Sequence, residues 1–167
     1  RGVIAMPRVL NMYENYPLWF TFFTELGFSV KLSGRSTHAL YEKGIDSIPS
    51  ESACYPAKLV HGHIMDLLER GYKTIFYPCI PYEQIEYSDA GNHFNCPMVT
   101  SYPEVIYKNM DALRNDDIKF MYPFINLADK PSFMRQMSKA LSDYNIPFKD
   151  IKAATEKAFR ELQAYKA

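Results

Sequence analysis

Short apolar segments alternate with longer amphipathic segments along this chain, and this alternation limits the folds that it can adopt. Residues 28–32 alternate apolar and polar side chains, as a half-buried strand does. Residues 74–77 form a nearly unbroken apolar run, which is typical of a strand covered on both faces. Residues 55–70 instead place apolar side chains at helical spacing and end at Gly71. Strands and helices therefore alternate, as they do in parallel α/β proteins.

The pattern predicts a parallel sheet of about four to five strands with helices on both faces, a flavodoxin-like or Rossmann-like three-layer sandwich. Further strands are predicted at residues 8–12, 97–100 and 118–122. Further helices are predicted at residues 17–27, 36–43, 103–113, 131–144 and 151–165. Residues 80–95 lack periodicity and are long for a connection, so they form a candidate functional loop.

Length and composition favour one globular unit and exclude several classes of partner. The 167 residues are 47% hydrophobic, which is enough to bury a core. Nineteen basic and nineteen acidic residues cancel, so neither nucleic acid nor a membrane surface is an expected partner. No apolar run approaches the roughly 20 residues of a membrane span, and no secretory signal is recognisable, so we expect a cytoplasmic location. Because no initiating Met is present, we expect residues 1–167 to be one α/β domain of a larger multidomain protein.

The three cysteines have the clearest potential for chemistry. Cys79 follows a predicted central strand, Cys54 precedes the helix predicted at residues 55–70, and Cys96 ends the candidate loop. Strand carboxyl ends and helix N-termini share the edge where parallel α/β folds bind ligands. The positive end of a helix also favours the thiolate, which is the form that binds metal. The strand predicted at residues 97–100 conflicts with this placement of Cys96, because a strand begins at the opposite edge.

The spacing of these cysteines leaves alternatives open. It has 24 and then 16 intervening residues and matches no compact metal-binding motif. The three residues could instead be buried thiols that serve as small hydrophobic side chains. His93 lies three residues before Cys96 and is a further candidate ligand, whereas His61 and His63 are expected to be solvated or at the edge of the core.

Polar residues near the cysteines could line a pocket at the same edge. Glu51 and Glu83 each lie within four residues of a cysteine and could accept a proton, although solvated loop carboxylates are the simpler explanation. The chain contains no GxGxxG, GxxxxGK[ST] or GxSxG motif, so neither a usual Gly-rich nucleotide site nor a nucleophile elbow is predicted. The candidate pocket residues are Tyr13, Glu14, Asn15, Glu51, Ser52, Glu83 and His93.

Four segments of the chain resemble a known family. They are Pro7–Pro17, Ile48–His63, Tyr77–Glu83 and Asn92–Pro97. These segments are similar to the uncharacterised domain of large CoA-substrate-specific enzyme activase proteins, which itself resembles the subunits of 2-hydroxyacyl-CoA dehydratases. The resemblance extends over most of the chain to about Phe124.

The resemblance implies a cofactor, its ligands and its partners. In the dehydratase subunits three cysteines bind a [4Fe-4S] cluster with one open iron site, and the matching residues here are Cys54, Cys79 and Cys96. The implied partners are an ATP-dependent activator module and dehydratase-like domains or subunits, with an acyl-CoA as substrate. The activator passes an electron to the cluster, which reduces a 2-hydroxyacyl-CoA in true dehydratases. Because such a site needs two subunits or repeats, we expect the isolated chain to bind cofactor without turnover.

Three hypotheses about function follow. The first is an iron–sulfur redox domain that accepts an electron from the activator. The second is a non-catalytic interaction module that docks the activator, which predicts an exposed aromatic patch of Tyr82, Tyr87 and Phe94. The third is a closed, tetrahedral zinc site formed by Cys54, Cys79, Cys96 and His93.

Overall fold

Six strands and six α-helices make up the computed structural model, which describes residues 1–167. The strands are β1 (Val3–Met6), β2 (Ser29–Leu32), β3 (Thr74–Phe76), β4 (Cys79–Tyr82), β5 (Lys119–Met121) and β6 (Phe124–Asn126). The helices are α1 (Met12–Glu25), α2 (His38–Lys43), α3 (Tyr55–Glu69), α4 (Pro97–Asn109), α5 (Lys130–Ala140) and α6 (Phe148–Lys166). None of the helices is both long enough and apolar enough to span a membrane.

Four of the strands form a parallel sheet in the order β2-β1-β3-β5, and β4 and β6 form a second parallel pair. The strand order reverses between β1 and β3, because the chain runs outward to β2 and returns on the other side of β1. The Tyr77 N–H donates to the Met121 carbonyl and the Cys79 N–H to the Pro123 carbonyl, both at 2.9 Å. The ladder of β3 and β5 therefore continues into β4 and β6 across Pro78 and Pro123, which have no N–H to donate.

Helices cover both faces of the sheet and enclose a continuous hydrophobic core. Helix α6 packs against α1 and α5, whereas α3 packs against α2 and α4. Trp19 of α1 lies at the centre of the core, with its ring 4.9 Å from that of Phe76 on β3 and 5.7 Å from that of Phe133 on α5. The parallel sheet with flanking helices confirms the predicted flavodoxin-like or Rossmann-like class.

The beginning of the chain differs from the prediction. The first strand is Val3–Met6 rather than residues 8–12, because Ile4, Ala5 and Met6 are the apolar residues that become fully buried in the sheet. Residues 8 and 9 have no regular structure, residues 10 and 11 form a turn, and α1 begins at Met12, five residues earlier than predicted. Pro17 consequently lies inside α1 and not in its first turn.

The strand predicted at residues 97–100 was also wrong. These residues are the first turn of α4, and Pro97 occupies the first helical position, where its missing N–H breaks no hydrogen bond. The candidate loop predicted at residues 80–95 is shorter than expected, because residues 80–82 belong to β4.

Two glycines allow the segment around α2 to approach α3 closely. A Cβ atom on Gly62, in the middle of α3, would overlap the carbonyl oxygen of Leu40. A Cβ atom on Gly44 would overlap the backbone nitrogen of Gly62. Both clashes would be with backbone atoms, which cannot rotate away as the end of a flexible side chain can. Glycine at these positions is therefore required for the observed packing.

We expect Gly62→Ala to lower the free energy of unfolding by about 1–3 kcal/mol, the usual cost of overpacking. Alanine has a higher helix propensity than glycine by about 1 kcal/mol, so the clash must outweigh that gain. Urea denaturation of the variant measures the difference. The control is Gly91→Ala, because a Cβ atom at Gly91 would meet no atom within 4 Å. An unchanged or raised stability of Gly62→Ala would contradict the close approach.

Candidate functional site

All three cysteines lie at the edge of the sheet where the parallel strands end. Cys54 and Cys96 are the N-cap residues of α3 and α4, and a proline occupies the first turn of each helix. Cys79 is the first residue of β4, directly beyond the carboxyl end of β3. The helices that connect parallel strands run back against them, so their N-termini lie at this same edge. The three thiols are free; those of Cys54 and Cys96 are exposed and that of Cys79 is buried.

The segment after β4 folds back on that strand and carries Cys96 toward Cys79. The pairing comprises an antiparallel bridge between Tyr82 and Phe94, a hydrogen bond from the Glu83 N–H to the His93 carbonyl (3.1 Å) and one from the Asn95 N–H to the Pro81 carbonyl (3.0 Å). If the antiparallel register of Tyr82 with Phe94 is extended by two residues, Cys96 falls opposite Ile80, the neighbour of Cys79. We name residues 83–95 the return loop. Cys96 precedes a helix and not the strand predicted at residues 97–100, so it no longer has to lie at the opposite edge of the sheet.

The Glu83 carboxylate holds the return loop in place. It accepts hydrogen bonds from the side-chain amides of Asn11 (2.9 Å), Asn95 (2.9 Å) and Asn15 (3.1 Å). The Asn95 amide also donates to the Ile80 carbonyl at 2.8 Å, which ties the loop to β4. Asn11 is the N-cap residue of α1 but makes no capping hydrogen bond, because its side chain is turned to Glu83. We name Glu83 and its three asparagines the carboxylate clamp.

The carboxylate clamp joins two predicted pocket residues and two that the sequence analysis missed. Glu83 and Asn15 were predicted to lie near one another, whereas Asn11 and Asn95 were not singled out. Asn11 is 72 positions from Glu83, and no local pattern indicates such a contact. Only the reversal of strand order between β1 and β3, which brings the start of α1 beside β4, could have suggested it.

Burial makes the Cys79 thiol less acidic than an ordinary cysteine thiol. Burial raises its pKa to about 11, and a hydrogen bond from the Glu104 backbone N–H opposes this change. Burial also raises the pKa of Tyr102 to about 12, with a further contribution from the charge of Cys54. The pKa of Tyr77 is raised by burial and by the charges of Cys79 and Tyr102, and its hydroxyl has no hydrogen-bond partner. Any metal that binds Cys79 must therefore displace its proton.

His61 is buried in α3 and links three elements. The Ser47 hydroxyl donates its one proton to the Gly44 carbonyl at 2.9 Å, so it accepts a hydrogen bond from His61 Nδ1–H at 2.7 Å. His61 Nε2 then accepts from the Tyr102 hydroxyl of α4 at 2.9 Å. Both ring nitrogens are used within the protein, which leaves neither for a metal ion.

His63, one half-turn further along α3, is also hydrogen-bonded through both ring nitrogens. Its Nδ1 lies 2.7 Å from the Ser33 hydroxyl, which accepts from the Arg8 backbone N–H at 2.8 Å. Its Nε2 lies 2.9 Å from the Ser36 hydroxyl. The two histidines are fully buried hydrogen-bonding residues, and the alternative of solvated side chains was wrong.

The remaining predicted pocket residues are dispersed. Tyr13 and Glu14 are exposed on the first turn of α1. Glu51 and Ser52 are exposed ahead of α3, where the Ser52 hydroxyl contacts that of Ser50 at 2.7 Å. His93 is half-buried in the return loop, with its ring 6.0 Å from that of Tyr82.

The structure contains no group of three or more His, Cys, Asp or Glu side chains that is arranged to hold a metal ion. The proposed zinc ligands therefore form no ready-made tetrahedral site. The predicted set was Cys54, Cys79, Cys96 and His93.

Large apolar side chains of the return loop are exposed to solvent. Tyr87, Phe94 and Ile85 are 71%, 68% and 56% exposed, respectively. Tyr82 packs edge-to-face against Phe94 with their ring centroids 4.7 Å apart. Of the aromatic residues predicted for an interaction surface, Tyr87 and Phe94 are thus exposed on this loop, whereas Tyr82 is half-buried at the end of β4.

Stability should depend on pH through the two buried histidines. Burial lowers the pKa values of His61 and His63 from 6.5 to about 4. Below pH 6.5 the unfolded chain therefore binds more protons than the folded chain, so the stabilisation is complete above pH 6.5 and is lost toward pH 4. We expect the free energy of unfolding to fall over this interval, by at most about 1.4 kcal/mol per pH unit for each histidine.

Urea denaturation at a series of pH values tests this dependence. His63→Gln should reduce the slope, whereas His38→Gln should not, because the His38 side chain is 78% exposed. An equal slope in both variants would contradict the role of the buried rings.

The carboxylate clamp should control the opening of the return loop. In Glu83→Gln the charge is lost, and an amide that donates hydrogen bonds faces the three asparagine amides. Hydrogen bonds to a charged group contribute about 1.5–3 kcal/mol, so hydrogen exchange of the Asn95 backbone N–H should accelerate roughly ten- to a hundredfold. The control is Glu86→Gln, which removes an exposed carboxylate of the same loop that pairs with Lys166. Equal exchange rates in both variants would refute the clamp.

Comparison with known proteins places the chain in a family. The family model described as CoA enzyme activase uncharacterised domain (DUF2229) matches residues 3–167. The comparisons with curated proteins and with solved structures gave no match. Since the family match spans all but the first two residues, the chain belongs to the CoA enzyme activase uncharacterised domain family.

Proposed function

We propose that this chain is an iron–sulfur cluster-binding redox domain of a system related to 2-hydroxyacyl-CoA dehydratases, and that it accepts an electron from an ATP-dependent activator. The observation that supports this proposal is that each free thiol lies at the start of an element on the same edge of the sheet, two at helix N-caps and one at the first residue of β4. Membership of the family supports it, because the family is described as a domain of CoA enzyme activases.

Cys54, Cys79 and Cys96 would hold the [4Fe-4S] cluster, since thiolates are the usual ligands of such clusters. Two of the thiols begin helices, whose N-terminal partial charge stabilises a negatively charged group. A cluster spreads its thiolates over separate iron atoms, so they need not lie as close together as the ligands of a single zinc ion. When bound, the cluster would supply a one-electron carrier.

Residues around Cys79 would adjust the properties of the bound group. The Tyr77 hydroxyl is buried near Cys79 and has no partner, so its proton is available to a cluster sulfur atom. Hydrogen bonds to sulfur are one of the means by which proteins set the reduction potential of such clusters. The buried thiol of Cys79 must first lose its proton, so cluster assembly should be favoured at higher pH.

The return loop would connect this site to its partners. The carboxylate clamp fixes Asn95, the residue before Cys96, to β4 and α1. The same loop presents Tyr87 and Phe94 to solvent, where the activator module or a dehydratase-like domain could dock. In this arrangement the chain contributes one side of an acyl-CoA site and the partner contributes the other.

The exposed side chains also favour a second candidate function, a non-catalytic interaction module that docks the activator. Tyr87, Phe94 and Ile85 are all more than half exposed on one loop, which is uncommon for large apolar residues that have no partner. This function would require no cofactor at the cysteines.

Anaerobic reconstitution with iron and sulfide separates the two candidates. We expect about four irons per chain and a reducible paramagnetic signal in the wild type. Cys54→Ala, Cys79→Ala and Cys96→Ala should each lose both, with folding checked by circular dichroism. The matched control is Met98→Ala, which removes an exposed sulfur atom from the first turn of α4 and should retain the iron. A wild type without stoichiometric iron would overturn the cluster and leave the interaction module.

A further inference from the structure

Two neighbouring cavities lie beyond the carboxyl end of β1 and share Arg8 and Tyr13 in their walls. The larger has a volume of about 190 Å³ and the smaller about 60 Å³. The larger is mainly apolar and is lined by Met6, Pro7, Met12, Tyr16 and Leu32. The smaller includes the polar side chains of Ser36 and His63. The pair therefore offers an apolar chamber beside a polar one.

Arg8 is the only charged residue in the walls of the two cavities. It is half-buried, and none of the ion pairs in the structure includes it. Its guanidinium carbon lies 5.9 Å from the centroid of the Tyr13 ring. Its charge also opposes the effect of burial on the pKa of Tyr16 and helps to lower the pKa of His63, so it lies close to both cavities. A partly buried cation without a counter-ion is costly, and an anionic ligand would offset that cost.

Apart from Arg8, the polar side chains in the cavity walls are the hydroxyls of Tyr13, Tyr16 and Ser36 and the imidazole of His63. His63 is neutral at pH 7, because burial lowers its pKa to about 4. Both of its ring nitrogens are already bonded to Ser33 and Ser36. The guanidinium of Arg8 is thus the group that would recognise the charge of a ligand.

We propose that these cavities bind a small amphipathic carboxylate, with its carboxylate paired to Arg8 and its apolar body in the larger cavity. The planar guanidinium fork matches a carboxylate through two parallel hydrogen bonds. A cavity of about 150 Å³ holds benzene, so the larger cavity accepts a body of that size or slightly more. The site lies beyond the end of β1, beside the reversal of strand order, where open α/β sheets bind ligands. It needs no metal, so it stands independently of the cluster.

Isothermal titration of the metal-free chain with benzoate and with benzamide tests the proposal. The two probes have the same shape, and only benzoate is charged. We expect benzoate to bind about tenfold more tightly than benzamide, because one charge-assisted pair contributes at least about 1.4 kcal/mol. Arg8→Met should abolish this preference. Arg35→Met is the matched control, because it removes an exposed positive charge from the nearby loop after β2 without altering either cavity.

A second variant keeps the test decisive if Arg8→Met fails to fold. Leu32→Phe retains the guanidinium and fills the larger cavity, so it should block both probes. The proposal is overturned if the wild type shows no binding of benzoate at millimolar concentrations, or if benzoate and benzamide bind equally. Undiminished binding of benzoate to Leu32→Phe would overturn it as well.

Discussion

Parallel pairing of the strands is the constraint on which the rest of this structure depends. Parallel neighbours cannot be joined by a tight turn, so each connection must cross a face of the sheet, and here it does so as a helix. Every such helix begins at the edge where the strands end. Cys54 and Cys96 begin two of these helices and Cys79 lies just past a strand, so the topology places all three cysteines at one edge of the sheet. Their shared location is thus a consequence of the connectivity more than of any local motif.

The carboxylate clamp fixes the conformation of the return loop, which the strand topology alone does not determine. A connection as long as the return loop has many conformations open to it, and ordering it costs free energy in proportion to its length. Three asparagine amides on one carboxylate, together with the ladder along β4, offset that cost. The Glu83 carboxylate and the three amide N–H groups satisfy one another where leaving them unpaired would be costly, and of the clamp only the Asn15 side-chain oxygen is buried without a partner. The position of Cys96 depends on residues that have no chemistry of their own.

The periodicity of apolar residues predicted the class of fold and most elements. It failed where a short segment suits either a strand or a helix, and where contacts join residues far apart in the sequence. The helix at Tyr55–Glu69 and the strand at Thr74–Phe76 were evident, since each has one dominant spacing of apolar residues. Residues 8–12 and 97–100 are short apolar stretches that suit a strand or a helix start equally well, and only burial in the sheet separates these cases. The hydrogen bond between Asn11 and Glu83, and those of the buried His61 and His63 rings, involve partners that no sequence window contains.

The prolines at positions 78 and 123 have a consequence for how such a domain can diverge. They lie opposite each other between the four-stranded sheet and the pair of β4 and β6. Because neither proline has a backbone N–H, the ladder has fewer hydrogen-bond donors at this point. Substitutions that bend or shift β4 and β6 therefore strain few hydrogen bonds of the four-stranded sheet. The four-stranded sheet can thus keep its hydrogen bonds while the pair that carries Cys79 and the return loop tolerates change.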